Sequence, residues 1–212
     1  MSNESAAREQ LCTYGKSIYS RCLTHGSTGN ISIAHPDGGW LMTPTNVALG
    51  SLDPARLARL DGSGRHVDGD APTKEALMHL AMYGEQDRYR AVIHLHSTYS
   101  VAVSCMRDIN PHDCLPPITA YYAMRVGRLP LVPYYPPGDA MLAEAVRKLA
   151  GTHHAVLLAN HGPVVAGDSL EAAGSAIEEL EETAKLHLLL HAVPTRPLTA
   201  DQVDTLRHRF GV

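Results

Sequence analysis

Two histidines separated by one residue, His94 and His96, stand at the end of the apolar segment AVIHLH. If this segment is a β-strand, both side chains project from the same face, with Cα atoms roughly 7 Å apart. Their imidazole nitrogens could then converge on one metal ion. The pattern also suits a pair of hydrogen-bonded histidines at a strand end, so a third ligand is needed to decide.

A second apolar segment, HAVLLAN, predicts another strand that ends at His161 and Gly162, so that His161, between Asn160 and Gly162, is a third histidine at a strand end. Three histidines without a thiolate favour a catalytic divalent ion with an open coordination position, Zn2+ first, over a closed structural site. The chain contains 13 histidines but one Phe and one Trp. The remaining histidines lack this spacing and are treated as ordinary structural or surface residues.

The segment APTKE contributes a carboxylate, Glu75. Pro72 and Thr73 predict the start of a helix that runs through Met82, because Pro is tolerated in a first helical turn and Thr caps exposed amides. An acid in the first turn is often only a surface residue favoured by the helix dipole. Beside a metal, however, the start of a helix suits a general base and an anion site together. Both interpretations stay open on this feature alone.

Two turn segments, STGN and TPTN, supply small hydroxyl, amide and backbone donors. The residues concerned are Gly29, Asn30, Thr43, Thr45 and Asn46. Such residues are also ordinary turn formers. They indicate a ligand site only if the fold brings them to the histidines.

These residues need a scaffold of strand ends and helix starts. The apolar periodicity predicts a first helix, a hairpin across HPDGG, a helix after the histidine strand, a long helix and a last helix with a capping box. The predicted segments are, in order, Ala6 to Leu23, Asn30 to Ile33 with Trp40 to Met42, STYSVAVSCM, Ser169 to His191, and a helix capped by Thr199 and Gln202. We predict a single α/β domain over residues 1–212, with a mixed or antiparallel sheet between helical layers.

The composition excludes several classes of protein. The chain has 212 residues, of which 44% are hydrophobic, and a formal net charge of -4. A nucleic-acid partner is not expected without a basic surface. The polar N-terminal segment and short apolar stretches predict no signal peptide and no membrane segment, hence a cytoplasmic protein. The four cysteines form no CxxC pair and are expected to be small core residues.

Taken together, the segments resemble the class II aldolase and adducin head family. Its motifs occur here in order over most of residues 15–190: STGNIS, LMTPTN, APTKE, VIHLHS, LLANHG and EELEETAK. The resemblance implies a class II aldolase-like fold and a lyase of carbohydrate metabolism that uses one zinc ion per chain. It also implies a homotetramer with shared active sites.

The resemblance assigns roles to individual residues. His94, His96 and His161 match the metal ligands, and Glu75 matches the catalytic acid/base, which also ligates zinc when no substrate is bound. Tyr121, or its neighbour Tyr122, matches a tyrosine that completes the active site of the adjacent subunit. The positions that match the substrate and phosphate pocket are Gly29, Asn30, Thr43, Thr45, Asn46, Thr73 and Lys74.

The chain departs from the sugar-phosphate aldolases of this family in three places. Those enzymes usually carry paired serines before the glutamate and a glycine after the TPT-like turn, where this chain has Thr73, Lys74 and Asn46. They also use a C-terminal tyrosine, whereas this chain ends HRFGV. The segments PTKE, HLHSTYS, VPYYPPGD and NHGPVV are most similar to the branch that decarboxylates 3-oxo-tetronate 4-phosphate.

The predicted reaction is therefore loss of CO2 from a 3-oxo acid. The electron pair left on C2 would be held as a zinc-bound enediolate. Glu75 or Tyr121 would then protonate C2, giving dihydroxyacetone phosphate. Lys74 or Arg125 could hold the substrate carboxylate. Alternatives are a fuculose- or ribulose-phosphate type aldolase, a 4-epimerase, a non-catalytic adducin-like scaffold, and a structural zinc module.

Overall fold

The computed structural model describes residues 3–210 and is built on one eight-stranded sheet. The strands are β1 Asn30–Ala34, β2 Trp40–Met42, β3 Ala58–Leu60, β4 His66–Asp68, β5 Ala91–His94, β6 Leu131–Val132, β7 Ala155–Leu158 and β8 Gly162–Gly167. Their order in the sheet is β4-β3-β2-β1-β5-β8-β7-β6. Among these strands, β6 and β7 are parallel and all other pairs are antiparallel. The predicted α/β fold with a mixed sheet is confirmed.

Seven α-helices accompany the sheet in the described part of the chain. They are α1 Asn3–Ser20, α2 Ala76–Tyr83, α3 Thr98–Ser104, α4 Ala120–Arg125, α5 Ala140–Ala150, α6 Leu170–Leu189 and α7 Ala200–Phe210. Thr199 and Gln202 exchange the two hydrogen bonds of a capping box before α7, as predicted. No helix among residues 3–210 has the length and apolar character that crossing a bilayer requires.

The central strands are buried on both faces because successive residues alternate between two apolar layers. Ile93 belongs to an apolar cluster that includes residues of α1, α4 and α6 on one face, whereas Val92 belongs to a cluster that includes residues of α2 and α5 on the other. Val165 and Val164 divide in the same way. Burying each such side chain contributes roughly 1.5–3 kcal/mol. This rigid double-sided core holds the strand ends at which the polar residues lie.

Helix α2 begins later than predicted. It starts at Ala76, and Glu75 occupies the N-cap position instead of the first turn. The preceding residues are extended because Thr73 N donates to Thr43 O at 3.1 Å and Thr45 N donates to Ala71 O at 3.0 Å. This pairing with a distant turn prevents residues 71–73 from being helical, so the prediction that Pro72 opens the helix is wrong.

The two histidine segments also differ from the prediction. Strand β5 ends at His94, so His96 lies beyond the strand. His161 lies in a tight turn between β7 and β8, and Asn160 in that turn has a φ of 56°. Strand β8 was not predicted, because Gly162 and Pro163 at its start are typical of loops. Helix α1 starts and ends three residues earlier than expected, and α4 and α5 were missed.

Candidate metal centre and active site

Four side chains with metal-binding atoms meet at one edge of the sheet. They are Glu75, His94, His96 and His161, and their ligand atoms all lie within 4.8 Å of one another. Glu75 Oε2 is 3.4 Å from His94 Nε2, and Glu75 Oε1 is 3.4 Å from His161 Nε2. His96 Nε2 is 3.1 Å from His94 Nε2. The structure thus brings the three predicted histidines and the predicted glutamate to one point.

The donor set fits a divalent cation. His94 Nδ1–H donates to the carbonyl oxygen of Pro163 at 2.9 Å, so Nε2 offers its lone pair to the cluster. Glu75 Oε1 is buried and has no hydrogen-bond partner within residues 3–210. A buried carboxylate oxygen without a partner is costly unless a cation or another donor meets it. Three imidazoles and one carboxylate are typical zinc ligands.

The protonation states of the cluster suit metal binding. Burial lowers the pKa of His96 to about 3 and that of His161 to about 4. Both rings are therefore neutral near pH 7, as a metal ligand must be. Burial would raise the pKa of Glu75, but the imidazole of His94 and a hydrogen bond from Asn30 outweigh it, and the net shift is downward. The carboxyl group is therefore ionised.

The register of the central strands places these ligands together. Asn30 pairs with His94, and His94 pairs with Val164, so the start of β1, the end of β5 and the start of β8 share one edge. Gly162 has a φ of 149°, and a Cβ atom there would lie 2.4 Å from the carbonyl oxygen of Leu95. A glycine at this position therefore lets the His161 turn approach the end of β5.

A buried glutamate on α6, Glu181, anchors the segment after His96. Its carboxylate accepts hydrogen bonds from Tyr99 N at 2.9 Å, Ser100 N at 2.8 Å and Ser100 Oγ at 2.6 Å. These groups lie in the first turn of α3, so Glu181 satisfies amides that a helix start leaves free. Ser97 Oγ also donates to Leu23 O at 2.6 Å. Both contacts fix the loop that presents His96.

The two predicted turn segments lie directly beside Glu75. Thr43 and Thr73 are buried, and their hydroxyl oxygens accept from Ile31 N at 3.1 Å and from Glu75 N at 3.3 Å. Gly29 has a φ of 79°, and a Cβ atom there would lie 3.0 Å from the carbonyl oxygen of His94.

The other polar residues of this region differ in how accessible they are. Thr45 is half-buried, whereas Asn46, with a φ of 60°, and Lys74 are exposed. Asn30 is buried, and its Nδ2 donates to Glu75 Oε2 at 2.9 Å. The Asn30 side chain therefore supports the glutamate, and phosphate binding by this residue stays a prediction.

A cleft of about 510 Å³ opens beside His96 and His161. Its other lining residues were not identified from the sequence: His25, Thr98, Val101, Tyr134, Pro137 and Asn160. Tyr134 and Pro137 belong to the segment VPYYPPGD, which the sequence analysis used only as a family motif. Gly138 of that segment packs so closely on Lys74 that an added Cβ atom would lie 2.9 Å from the Lys74 carbonyl oxygen. This contact places the Lys74 backbone beside the segment that carries Tyr134 and Pro137, whereas Lys74 is not among the lining residues that the structure describes.

The two neighbouring tyrosines on α4 have opposite environments. Tyr122 is fully buried, whereas 59% of Tyr121 is exposed. The guanidinium carbon of Arg125 lies 5.7 Å from the centre of the Tyr121 ring. Neither tyrosine is among the residues of the described chain that line the cleft. Of the two, only Tyr121 presents its ring at the surface.

The chain is similar to curated proteins over nearly its whole length. It is 47% identical to the 3-oxo-tetronate 4-phosphate decarboxylase of Escherichia coli K12 over 204 residues, which cover 96% of each chain. It is 30% identical to the L-fuculose phosphate aldolase of the same strain over 191 residues, which cover 89% of this chain and 86% of the relative.

A solved structure is similar to this protein in both fold and sequence. The structure matches the crystal structure of YgbL from Escherichia coli with a TM-score of 0.94 and 46% identity, over 96% of this chain and 99% of that one. The family described as Class II Aldolase and Adducin N-terminal domain matches residues 9–188. The protein therefore belongs to the class II aldolase and adducin N-terminal domain family.

Proposed function

We propose that this protein is a carbon–carbon lyase that decarboxylates 3-oxo-tetronate 4-phosphate to dihydroxyacetone phosphate and CO2. The observation that carries the proposal is the full-length 47% identity to a decarboxylase of that name, compared with 30% to an aldolase. The cluster of His94, His96, His161 and Glu75 supplies a candidate site for the chemistry.

The reaction breaks the bond between C1 and C2 of the substrate. C1 leaves as CO2, and the electron pair stays on C2, where it is conjugated with the C3 carbonyl group. Addition of one proton, supplied by water, to C2 completes dihydroxyacetone phosphate. Glu75 is our candidate for handling that proton, because Asn30 holds Oε2 at 2.9 Å while Oε1 faces His161 at 3.4 Å.

We propose that His94, His96 and His161, joined by Glu75 before substrate binds, hold one divalent ion, with zinc as the first candidate. When bound, such an ion acts as a Lewis acid that stabilises negative charge developing on the substrate. The supporting observation is the convergent set of three imidazole nitrogens, of which those of His96 and His161 are neutral near pH 7, beside an ionised carboxylate.

The donors around the cluster suggest how the substrate is oriented. We place its phosphate near Gly29, Thr43, Thr45 and Thr73, because backbone and hydroxyl donors at turns suit phosphate oxygens. Lys74 is our candidate for the substrate carboxylate, since it is exposed, directly precedes Glu75 and contacts Gly138, which follows the cleft residue Pro137. A contact that held this carboxylate too tightly would slow its departure, so an exposed lysine suits the role better than a buried one.

We propose a homotetramer in which Tyr121 reaches the active site of the neighbouring subunit. Its exposed ring supports this assignment over the buried Tyr122. Mixing inactive Glu75→Gln subunits with inactive Tyr121→Phe subunits tests it, because mixed oligomers would contain some sites with both native residues. Recovery of activity is expected after subunit exchange. No recovery, in oligomers that demonstrably mix, would contradict a shared site.

We also place the reaction in the cytoplasm, because a phosphorylated sugar acid is too strongly charged to cross a bilayer readily. The oligomeric state and this location do not affect the assignment of the chemistry.

The assignment is tested with purified protein and a panel of phosphorylated substrates. We expect CO2 and dihydroxyacetone phosphate to be released from a 3-oxo-tetronate 4-phosphate, and little or no lactaldehyde from L-fuculose 1-phosphate. Glu75→Gln serves as the control for contaminating enzymes. Faster release of lactaldehyde than of CO2 would replace the decarboxylase with the aldolase assignment.

A further inference from the structure

A chain of buried hydrogen bonds runs from the core of the protein to Glu75. Tyr83 OH lies 2.9 Å from Ser32 Oγ, which lies 2.7 Å from His79 Nδ1. His79 Nε2 lies 2.5 Å from Asn30 Oδ1, and Asn30 Nδ2 lies 2.9 Å from Glu75 Oε2. His79 and Ser32 are fully buried, and the other three residues are between 6% and 8% exposed. Of the site residues predicted from the sequence, only Asn30 and Glu75 take part in this series of hydrogen bonds.

The series of hydrogen bonds ends at Glu75, and the Glu75 carboxylate determines the direction of every hydrogen bond in the series. An ionised carboxylate only accepts, so the Asn30 amide must present its Nδ2–H to Glu75. Oδ1 of Asn30 is then an acceptor, and His79 must carry its hydrogen on Nε2. Nδ1 of His79 is left as an acceptor, so Ser32 donates its hydroxyl hydrogen there. Tyr83 in turn donates to Ser32.

We propose that His79 is a positioning residue. As the Nε2–H tautomer, it fixes the orientation of the Asn30 amide, so that Asn30 Nδ2 donates to Glu75 Oε2. Glu75 Oε1 then stays directed at the histidine cluster, which consists of His94, His96 and His161. Rotation of the Asn30 amide by half a turn would place its oxygen against the carboxylate. That arrangement would lose the hydrogen bond from Asn30 to Glu75 and the one from His79 to Asn30. His79 therefore selects the orientation of Glu75 without touching the reacting atoms.

The surroundings of His79 favour this role over proton transfer. Burial lowers the pKa of His79 to about 3, so the ring is neutral in neutral solution. Both ring nitrogens are engaged in hydrogen bonds, unlike those of the histidine cluster, whose Nε2 atoms face one another. A neutral ring with both nitrogens bonded transmits orientation, not charge.

The tautomer is tested directly, without substrate. Nitrogen NMR of the protein labelled with 15N-histidine distinguishes a protonated from an unprotonated ring nitrogen, and Ser32→Ala and Tyr83→Phe identify the His79 signals. We expect His79 to show a protonated Nε2 and an unprotonated Nδ1. The opposite tautomer would overturn the proposal, whatever reaction the enzyme catalyses.

The effect on Glu75 is tested by kinetics, and this part rests on the proposed function. His79→Leu removes both hydrogen bonds, whereas His79→Gln keeps a donor for Asn30. We expect kcat to fall about tenfold or more in His79→Leu with little change in KM, and to recover largely in His79→Gln.

Controls separate positioning from general weakening of the fold. Met82→Leu changes a buried apolar residue of the same helix. When its melting temperature is similar to that of the His79 variants, its kcat should stay close to that of the native protein. Equal losses of kcat in His79→Leu, His79→Gln and Met82→Leu would contradict positioning. If His79→Leu does not fold, two other variants are compared. His79→Gln keeps a donor for Asn30, whereas Tyr83→Phe removes the hydroxyl group that bonds to Ser32. If no variant or native protein releases CO2, the proposed function fails while the NMR result stands.

Discussion

Two clefts lie at opposite ends of the same central strands, and they differ in what they can do. At one end, His94 of β5 pairs with Val164 of β8, and the histidine cluster borders the cleft of about 510 Å³. At the other end, Ala91 pairs with Gly167 beside a larger cleft of about 880 Å³. The larger cleft is lined by four arginines: Arg88, Arg125, Arg128 and Arg207.

The difference between the clefts is the convergence of their polar atoms. At the histidine end, four ligand atoms face one point, and a carboxylate oxygen has no hydrogen-bond partner within residues 3–210. At the arginine end, the charged groups point to separate partners. Arg207, for example, pairs with Asp204 at 3.3 Å, and Arg88 lies over the ring of Tyr89. The volume of a cavity is therefore a weaker guide to chemistry than converging, unsatisfied ligand atoms.

The largest expected effect follows from removing a proposed metal ligand at the end of the strands where the histidines cluster. His161→Ala should abolish stoichiometric metal binding and reduce turnover by on the order of a thousandfold or more, because a Lewis acid stabilises the developing charge by several kcal/mol. Elemental analysis and CO2 release measure the two effects. His112→Ala removes an exposed histidine and is the matched control. Unchanged metal content in His161→Ala would contradict the assignment of the metal site to the cleft beside His96 and His161.

Glu75→Gln tests whether the carboxylate acts chemically or only supports the metal. We expect turnover to fall by on the order of a hundredfold or more, because an amide cannot exchange a proton as a carboxylate does. Metal content and the circular dichroism spectrum should change little, since the three histidines remain. If turnover is nearly normal, proton transfer belongs to another residue, with Tyr121 as the next candidate.

Lys74→Ala tests which group binds the substrate carboxylate near the cleft beside His96 and His161. Losing a hydrogen bond to a charged group typically costs about 1.5–3 kcal/mol, or roughly ten- to 150-fold in kcat/KM for the oxo acid. Initial rates at several substrate concentrations measure this loss. Lys148→Ala removes another exposed lysine and should have no effect. Equal kcat/KM in Lys74→Ala and the native enzyme would assign the substrate carboxylate to another group.

Glu181→Ala tests the support behind His96. Two backbone amides and one hydroxyl group would lose their acceptor, so we expect the free energy of unfolding to fall by about 2–3 kcal/mol. Urea unfolding measures this change, and Glu182→Ala, on the exposed side of the same helix, is the control. Similar unfolding curves for the two variants would show that the Glu181 contacts contribute little to stability.

The smallest expected effect belongs to the arginine cleft. Arg88→Ala removes an exposed side chain, so kcat/KM should stay within about twofold and the free energy of unfolding within about 0.5 kcal/mol. The same assays used for His161→Ala measure both quantities. A tenfold loss of activity would show that the arginine end contributes to the reaction and that the two clefts are not independent.

The sequence by itself determined the chemistry-bearing residue types and the elements with strong local signals. The His94–His96 spacing, the Thr199 capping box and the periodicity of α6 depend on neighbours within a few residues, so each could be predicted from its own segment. The ordered motifs led to the family, which then assigned Glu75 and His161 to the same site.

The tertiary structure decided which distant groups meet. Helix α2 begins at Ala76 because residues 71–73 pair with residues 43–45, and no local signal contains that pairing. His79 stands four residues after Glu75, a spacing visible in the sequence. Its role depends on Asn30 and Ser32 of β1, more than 45 residues away. Hydrogen-bond direction and burial are properties of such assembled partners, so local sequence patterns cannot determine them.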